Sequence, residues 1–344
     1  MAVDQGTGPH DGSAVMDSPP EQDSHPRRAV ATPGRSSGLP PPTRRSRLNA
    51  QVWRPWLLLS PALAILGVLL IYPLYRVGSL SFQDFGLRQL VTGETSWIGL
   101  GNFDELLHDP LLWHTVLPNT IVFAVVNVAL TVVVGTLVAL LLARLGPWTR
   151  GVVTSAIMVA WAVPAVTGTY VWVFLFDARS GAVMRALGAI GLVDPETTNW
   201  FTERLPFYSI ATINVVHHGF PFVAITVLAG LMTLPQDAME AARIDGAGAW
   251  KRFWYITVPL LKPIFAVVTI LSTIWDFKVF AQIYLMPGGN GTNRDVLNLG
   301  TWSYVTAISQ NRYGLGAAIA VLLTVVLLVI TAFYLRVVFR QDEL

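Results

Sequence analysis

From Trp56 to Phe339 the chain alternates long uncharged apolar runs with shorter polar segments. A helix that crosses hydrocarbon needs about 20 mostly apolar residues. Six runs meet that length: Trp56 to Leu80, Thr115 to Ala143, Val152 to Phe176, Leu205 to Met232, Ile264 to Leu285 and Tyr313 to Phe339. The fold class they predict is an all-α integral membrane protein with six transmembrane helices. Asp276 and Lys278 interrupt the fifth run, and Pro164 and Pro221 fall inside the third and fourth, where a proline kinks a helix at a cavity or hinge. Gly67, Gly135, Gly168, Gly230, Gly314 and Gly316 recur within the runs and predict close helix packing.

The long polar segment in the middle is 234–263. Asp237 followed three residues later by Glu240 has the form of a capping box, which predicts a short helix starting just after Pro235 and ending at Gly246. Ala241, Ala242, Gly246, Ala247, Gly248 and Ala249 leave its backbone nearly bare, while Glu240, Arg243 and Asp245 supply charge. A bare, charged helix between two spans is a docking element for another protein.

Composition agrees with a bilayer: 53% of residues are hydrophobic, 13% are charged and mean hydropathy is +0.53. A net charge of +2 does not imply nucleic acid, because the basic residues lie scattered at the ends of apolar runs. Lysine and arginine asymmetry favours the side that holds both termini, Arg144 and Arg150, and Arg243, Lys251, Arg252 and Lys262, so both termini and segment 234–263 are expected in the cytoplasm. Residues 1–50, rich in Pro, Gly, Ser, Asp and Arg, predict a disordered cytoplasmic tail ahead of a transmembrane domain over 51–344. The chain has no cysteine, which excludes disulfides, thiolate metal sites and a cysteine nucleophile.

Glu240-Ala-Ala, Asp245-Gly246-Ala, Ile256, Pro259 and Pro263 together resemble the EAA loop of the membrane subunits of binding-protein-dependent ABC importers, in the spacing of the carbohydrate permeases of the maltose and glycerol-phosphate type. Tyr72-Pro-Leu, Gly99-Leu-Gly-Asn102-Phe, Asn119-Thr120, Gly135 and Pro287 to Thr292 extend the resemblance from about residue 55 to the end. It implies that Glu240, Ala241, Ala242, Arg243, Asp245 and Gly246 form a coupling helix between the fourth and fifth spans, seated in an ATPase subunit. It also implies a multi-pass protein of the bacterial cell membrane with four kinds of partner: a second, homologous permease subunit, two ATP-binding subunits, an extracytoplasmic solute-binding lipoprotein and membrane lipid. The substrate would be a di- or oligosaccharide, trehalose- or maltose-like given the arginine-rich, lysine-poor style of actinobacterial members. ATP and magnesium would belong to the partner subunits, with no cofactor on this chain.

The chain's own chemistry fits a non-catalytic subunit. Its three lysines, Lys251, Lys262 and Lys278, follow no glycine-rich loop, so there is no P-loop. Gly288-Gly-Asn-Gly291 precedes no lysine and reads as a tight turn. Adjacent His217 and His218 diverge on a helix, and no metal or catalytic residue is assigned. Polar groups inside spans are costly and tend to line cavities or pair. Amides and carboxylates bond sugar hydroxyls and aromatic faces cover sugar rings, so the substrate-path candidates are Asn119, Asn127, Trp172, Asn214, His217, Trp275, Asp276 and Lys278. The alternative reading is a self-sufficient secondary sugar transporter driven by an ion gradient. It calls for ionisable groups near the membrane midplane and internal repeats; only Asp276 and Lys278 answer the first, and no repeat is evident.

Overall fold

The structure is a computed structural model that describes residues 44–194, 197–289, 291 and 293–339. The tail expected over 1–50 lies outside the described residues as far as 43. The chain divides into two units, one ending at Pro61 and one running from Ala62 onward. Helix α1 (Arg44–Leu66) continues through a π-turn at Gly67–Ile71 into α2 (Tyr72–Leu80), giving the first candidate span, Pro55–Leu80.

In the second unit a short hairpin, β1 (Gln83–Asp84) paired antiparallel with β2 (Ser96–Trp97), encloses α3 (Leu87–Thr92) and leads to α4 (Gly101–His108). The spans follow as α5 (Leu117–Arg144), the pair α6 (Pro147–Trp161) and α7 (Ala165–Leu175), then α9 (Arg204–Leu231) after the short α8 (Ala182–Ala189). Next come α10 (Gln236–Ile244), α11 (Ala249–Arg252), α12 (Val258–Leu260), α13 (Lys262–Phe277), α14 (Ala281–Leu285), α15 (Leu299–Tyr304) and α16 (Tyr313–Phe339). Among the described residues five helices are long and apolar enough to cross a membrane, and a sixth crossing results if α6 and α7 are one broken span.

The third run is therefore not the continuous helix expected from Val152 to Phe176: α6 and α7 meet at 90°. Proline supplies the reason. It disfavours helical backbone at Val163, and Pro164 itself sits at φ −57°, ψ 135°, outside the helical region, as the first cap of α7. Pro221, by contrast, is absorbed within the continuous α9. The capping box is a second correction. The cap of α10 is Pro235, which has no side-chain acceptor, so Asp237 falls inside the first turn and interacts with the helix dipole rather than with a free amide.

Helices α5 and α9 form the central pair, against which α13 and α6 pack. Between helices in lipid there is no water to expel, so close backbone approach and the dispersion contacts it allows decide the packing. Gly135 provides that approach: a Cβ there would stand 2.6 Å from Val223 Cβ, and Gly219 faces Thr131 across the same seam. Gly230, Gly314 and Gly316 are similarly crowded, whereas nothing lies within 4 Å of a Cβ built on Gly67 or Gly168, so the packing expected at those two is not made within this chain. Tyr334 donates to the Ala266 carbonyl and links α16 to α13.

At the hairpin side a second set of bonds holds α2, α4 and α16 together. Buried Asn102 donates to the carbonyls of Ser81 at 3.0 Å and Gln83 at 2.9 Å, and the Gly314 amide donates to the Phe85 carbonyl at 2.9 Å. Arg312 grips Glu105 through both guanidinium nitrogens, at 2.6 and 2.5 Å. That hydrogen-bonded guanidinium holds the Glu105 carboxyl below its ordinary range.

Two outcomes follow from this packing. Gly135→Ala forces the α5–α9 seam apart and destabilises the purified protein by about 1–3 kcal/mol, read as a lower melting temperature in detergent; Gly146→Ala, with open space around its Cβ, leaves it unchanged. The Glu105–Arg312 pair is half exposed, so screening limits it to about 1 kcal/mol or less. Because the folded-state value of Glu105 is depressed, that contribution is present above the ordinary carboxylate range and fades as pH falls through the depressed value. Wild type should therefore melt slightly above Glu105→Gln at pH near 7, and the gap should close below about pH 4.

Candidate functional site

Two parts of the structure concentrate the sequence-predicted residues. The first is α10. Gly246, at φ 77°, takes the left-handed conformation that ends the helix, and the Ala247 amide reaches the Ala242 carbonyl at 2.9 Å while the Gly246 amide reaches Arg243 at 3.1 Å. This is a complete Schellman closure. Arg252 then donates to the Ala247 carbonyl at 2.7 Å and ties the turn to α11. Glu240, Ala241, Arg243, Asp245 and Gly246 are exposed, Ala242 is half-buried, and among the described residues no other helix packs closely on α10. Ile244 is 87% exposed and Trp250 74% exposed beside it. Burying one such side chain is worth roughly 1.5–3 kcal/mol.

The second part lies where two spans break. The α6–α7 corner and the gap between α13 and α14 both open onto a pair of adjoining cavities. A cavity of about 220 Å³ is lined by Trp172, Asn214, His217, His218 and Gln282 among others. Its neighbour, of about 480 Å³, is lined by Trp275, Asp276, Lys278, His218 and Gln282 among others. The two share Ala165, His218 and Gln282. Six of the eight predicted path residues thus meet at one place.

Their surroundings differ. Trp172 stacks on Phe176 with ring centroids 5.8 Å apart and leans on His217 at 5.9 Å, forming an aromatic wall. Asn214 is buried and accepts from the Gln282 amide at 3.0 Å, a bond that joins α9 to α14. Trp275 packs edge-on against Phe222 at 4.9 Å and is 41% exposed. Asp276 is buried with one carboxylate oxygen, Oδ2, lacking a protein partner, while Lys278, which caps α13, is exposed. Asp276 and Lys278 do not form an ion pair, in line with their spacing of two residues.

The remaining two stand apart. Asn119 donates to the carbonyls of Asp295 and Leu297, both at 2.9 Å, and so grips a turn of chain; its other exposure is to a separate apolar cavity between α5 and α9. Asn127 is fully buried and donates to the Phe123 carbonyl one turn back in its own helix, at 2.7 Å. Sequence reading missed Gln282 and His218. Gln282 follows Lys278 by four residues in a run interrupted by charge, which is the available signal; His218 enters the sequence reading only beside His217 as a pair that diverges on a helix, and His217 alone is a path candidate there. No group of three or more potential metal ligands occurs among the described residues.

Apolar walls, aromatic faces, two amides and an unpartnered carboxylate suit a neutral polar molecule held by hydrogen bonds and ring stacking. Comparison with known proteins gives the arrangement a context. A model of the family described as "Binding-protein-dependent transport system inner membrane component" matches residues 132–342. The diacetylchitobiose uptake system permease protein DasB of Streptomyces coelicolor is 40% identical, over 87% of this chain and 90% of its own. The trehalose/maltose transport system permease protein MalF of Thermococcus litoralis is 34% identical, over 83% of this chain and 94% of its own. Among solved structures, a crystal structure of a bacterial ABC transporter that imports alginate shares the fold with a TM-score of 0.72 at 22% identity, covering 86% of this chain and 99% of that one.

Proposed function

The chain belongs to the binding-protein-dependent transport system inner membrane components and is a multi-pass membrane protein, and from that premise we propose that it is the permease subunit of an ATP-driven importer for a di- or oligosaccharide. The names of its relatives include a diacetylated disaccharide and trehalose or maltose, which supports a short saccharide without choosing among them. The cavity pair at the two helix breaks is the proposed sugar path: Trp172 and Trp275 offer faces to sugar rings, and Asn214, His217, Asp276 and Lys278 bond hydroxyls. The single observation that carries this reading is that both breaks open onto these same two adjoining cavities, since backbone irregularity at membrane depth is tolerated where it lines a cavity.

In this reading both termini and α10 are cytoplasmic, in agreement with the lysine and arginine asymmetry. Glu240, Ala241, Ala242, Arg243, Asp245 and Gly246 form the coupling helix, seated on one of two ATP-binding subunits that carry ATP and magnesium. A second permease subunit completes the path, and an extracytoplasmic binding protein delivers sugar to the hairpin side. Closure of the ATPase pair carries α10 with it, and the spans reopen toward the binding protein; the differential contacts of α10 in the two ATPase states supply the coupling energy. Family membership makes transport depend on a binding protein, so an ion-driven carrier acting alone is not favoured.

The direct test is purification of the tagged chain from its native membrane in mild detergent, with mass spectrometry of co-eluting proteins and sugar uptake by the reconstituted assembly. An ATPase and a second permease at near-equal amounts, with ATP-dependent saccharide uptake, are expected; uptake by this chain alone without ATP would overturn the reading. Within the assembly, Glu240→Lys should cut uptake at least about tenfold, equal to a coupling loss of ~1.4 kcal/mol. Sugar affinity of the isolated binding protein should be unchanged, and normal uptake by the variant would remove α10 from the coupling role.

A further inference from the structure

Segment 293–299, which ends on the first residue of α15, has otherwise a single 3-10 turn at Arg294–Val296, yet its backbone is held by side chains from two spans. Asn119 of α5 donates to the carbonyls of Asp295 and Leu297, and Tyr208 of α9 donates to Val296 at 2.9 Å. The Thr120 hydroxyl accepts from the Leu299 amide at 2.9 Å while donating to the Val116 carbonyl at 2.7 Å, so both its bonding capacities are used. Asn293 donates to the Thr202 carbonyl at 3.0 Å, just before α9. The segment is a strap stitched to the starts of α5 and α9.

One bond leaves the strap for the cavity. Asn298 is 1% exposed, and its two amide atoms do different things. Its Oδ1 accepts from the Thr301 amide at 2.9 Å and caps α15; its Nδ2 donates to the Val279 carbonyl at 2.9 Å. Val279 lies in the gap between α13 and α14, beside Lys278 and Phe280, and all three line the cavity that holds Asp276. A carbonyl freed by a helix break must find a donor. Here the donor comes from the strap.

We propose that Asn298 is a positioning residue: through Val279 it sets the broken segment 277–281 that walls the cavity, while Asn119, Thr120 and Tyr208 hold Asn298 in place by fixing the backbone on either side of it. The proposal rests on the sugar-path reading and adds the element that transmits to the path any displacement of the hairpin side. Asn119 thereby acts on transport without touching substrate. The strap and the cavity wall move together, so a partner that shifts segment 293–299 shifts the wall as well.

Asn298→Ser separates the two roles of the side chain. Serine keeps an acceptor suited to the cap of α15 but is too short to reach Val279. The chain has no cysteine, so a single cysteine at Ala281, which lines the cavity, reports on the wall through its rate of reaction with a water-soluble maleimide; a cysteine at exposed Trp97 serves as control. In the full assembly in nanodiscs, Asn298→Ser should change the rate at position 281 but not at 97. It should lower binding-protein-stimulated ATP turnover about tenfold, with basal ATP hydrolysis and the half-saturating concentration of binding protein unchanged. Tyr208→Phe, which removes only the bond to Val296, should move the rate at position 281 in the same direction and keeps the test available where Asn298→Ser does not assemble. Wild-type labelling at 281 in both variants would overturn the proposal. If the sugar reading fails instead, the parent assembly transports no saccharide while the labelling change at 281 persists.

Discussion

The hydrocarbon core of a bilayer offers no water to a backbone amide or carbonyl, and each group left unpaired there costs several kcal/mol. The two breaks in the described spans answer to that constraint. At the α6–α7 corner the Pro164 carbonyl accepts from Gly168 at 2.9 Å and the Ala162 amide reaches Met158 at 3.0 Å, so the turn is closed locally. At the α13–α14 gap the Lys278 amide reaches Trp275 at 3.0 Å and the Phe280 carbonyl takes the Tyr284 amide at 2.9 Å. Val279 is left, and its carbonyl is met from 19 residues away by Asn298. The backbone groups named here are paired, and both breaks flank cavities that carry Asn214, Gln282 and Asp276 among apolar walls.

The same constraint separates two styles of packing. Along α5 and α9 the backbone is already satisfied, so the helices need only shape, and Gly135, Gly219 and the buried alanines Ala139 and Ala224 supply it. Near the hairpin side the backbone is irregular, and asparagine takes over: Asn102, Asn119, Asn293 and Asn298 each donate to main-chain carbonyls of distant segments. An amide side chain is suited to this because it carries two donors and an acceptor on a short stem. Helix α10 follows neither style. It is closed by its own Schellman turn and leaves Ile244 exposed, so its end is held by local bonds.

Much of this is legible in the sequence, and the losses are instructive. Apolar run length located the spans because hydrocarbon thickness acts on composition directly. Gly246 was readable as a terminator because a left-handed residue following a short charged helix has few alternatives to glycine. The start of α10 just after Pro235 is legible too, but the capping role of Asp237 is not: Asp237 and Glu240 satisfy a capping pattern while the cap position falls two residues earlier, on Pro235. Asn119 is a polar group in an apolar run, which has two uses, and the chain gives no sign of the carbonyl 176 residues away that accepts from it. Gln282 was overlooked for the same reason: only the fold brings it to Asn214.

Spacing along the chain also hid the feature that matters most for the proposed path. Trp172, Asn214 and Asp276 sit in three separate runs, and no periodicity relates them. They converge because two spans break, one at a proline and one at a charged pair, and because α9, continuous through Pro221, passes both breaks and presents Asn214, His217 and His218 to the cavities between them. The 90° corner between α6 and α7 sets Trp172 against His217, and the gap at 278–280 precedes the turn that carries Gln282 to Asn214. A force that moves either break therefore changes the cavities as well. That ties the state of the cavities to the conformation of the spans, and the bond from Asn298 to Val279 adds a contact between segment 293–299 and the same wall.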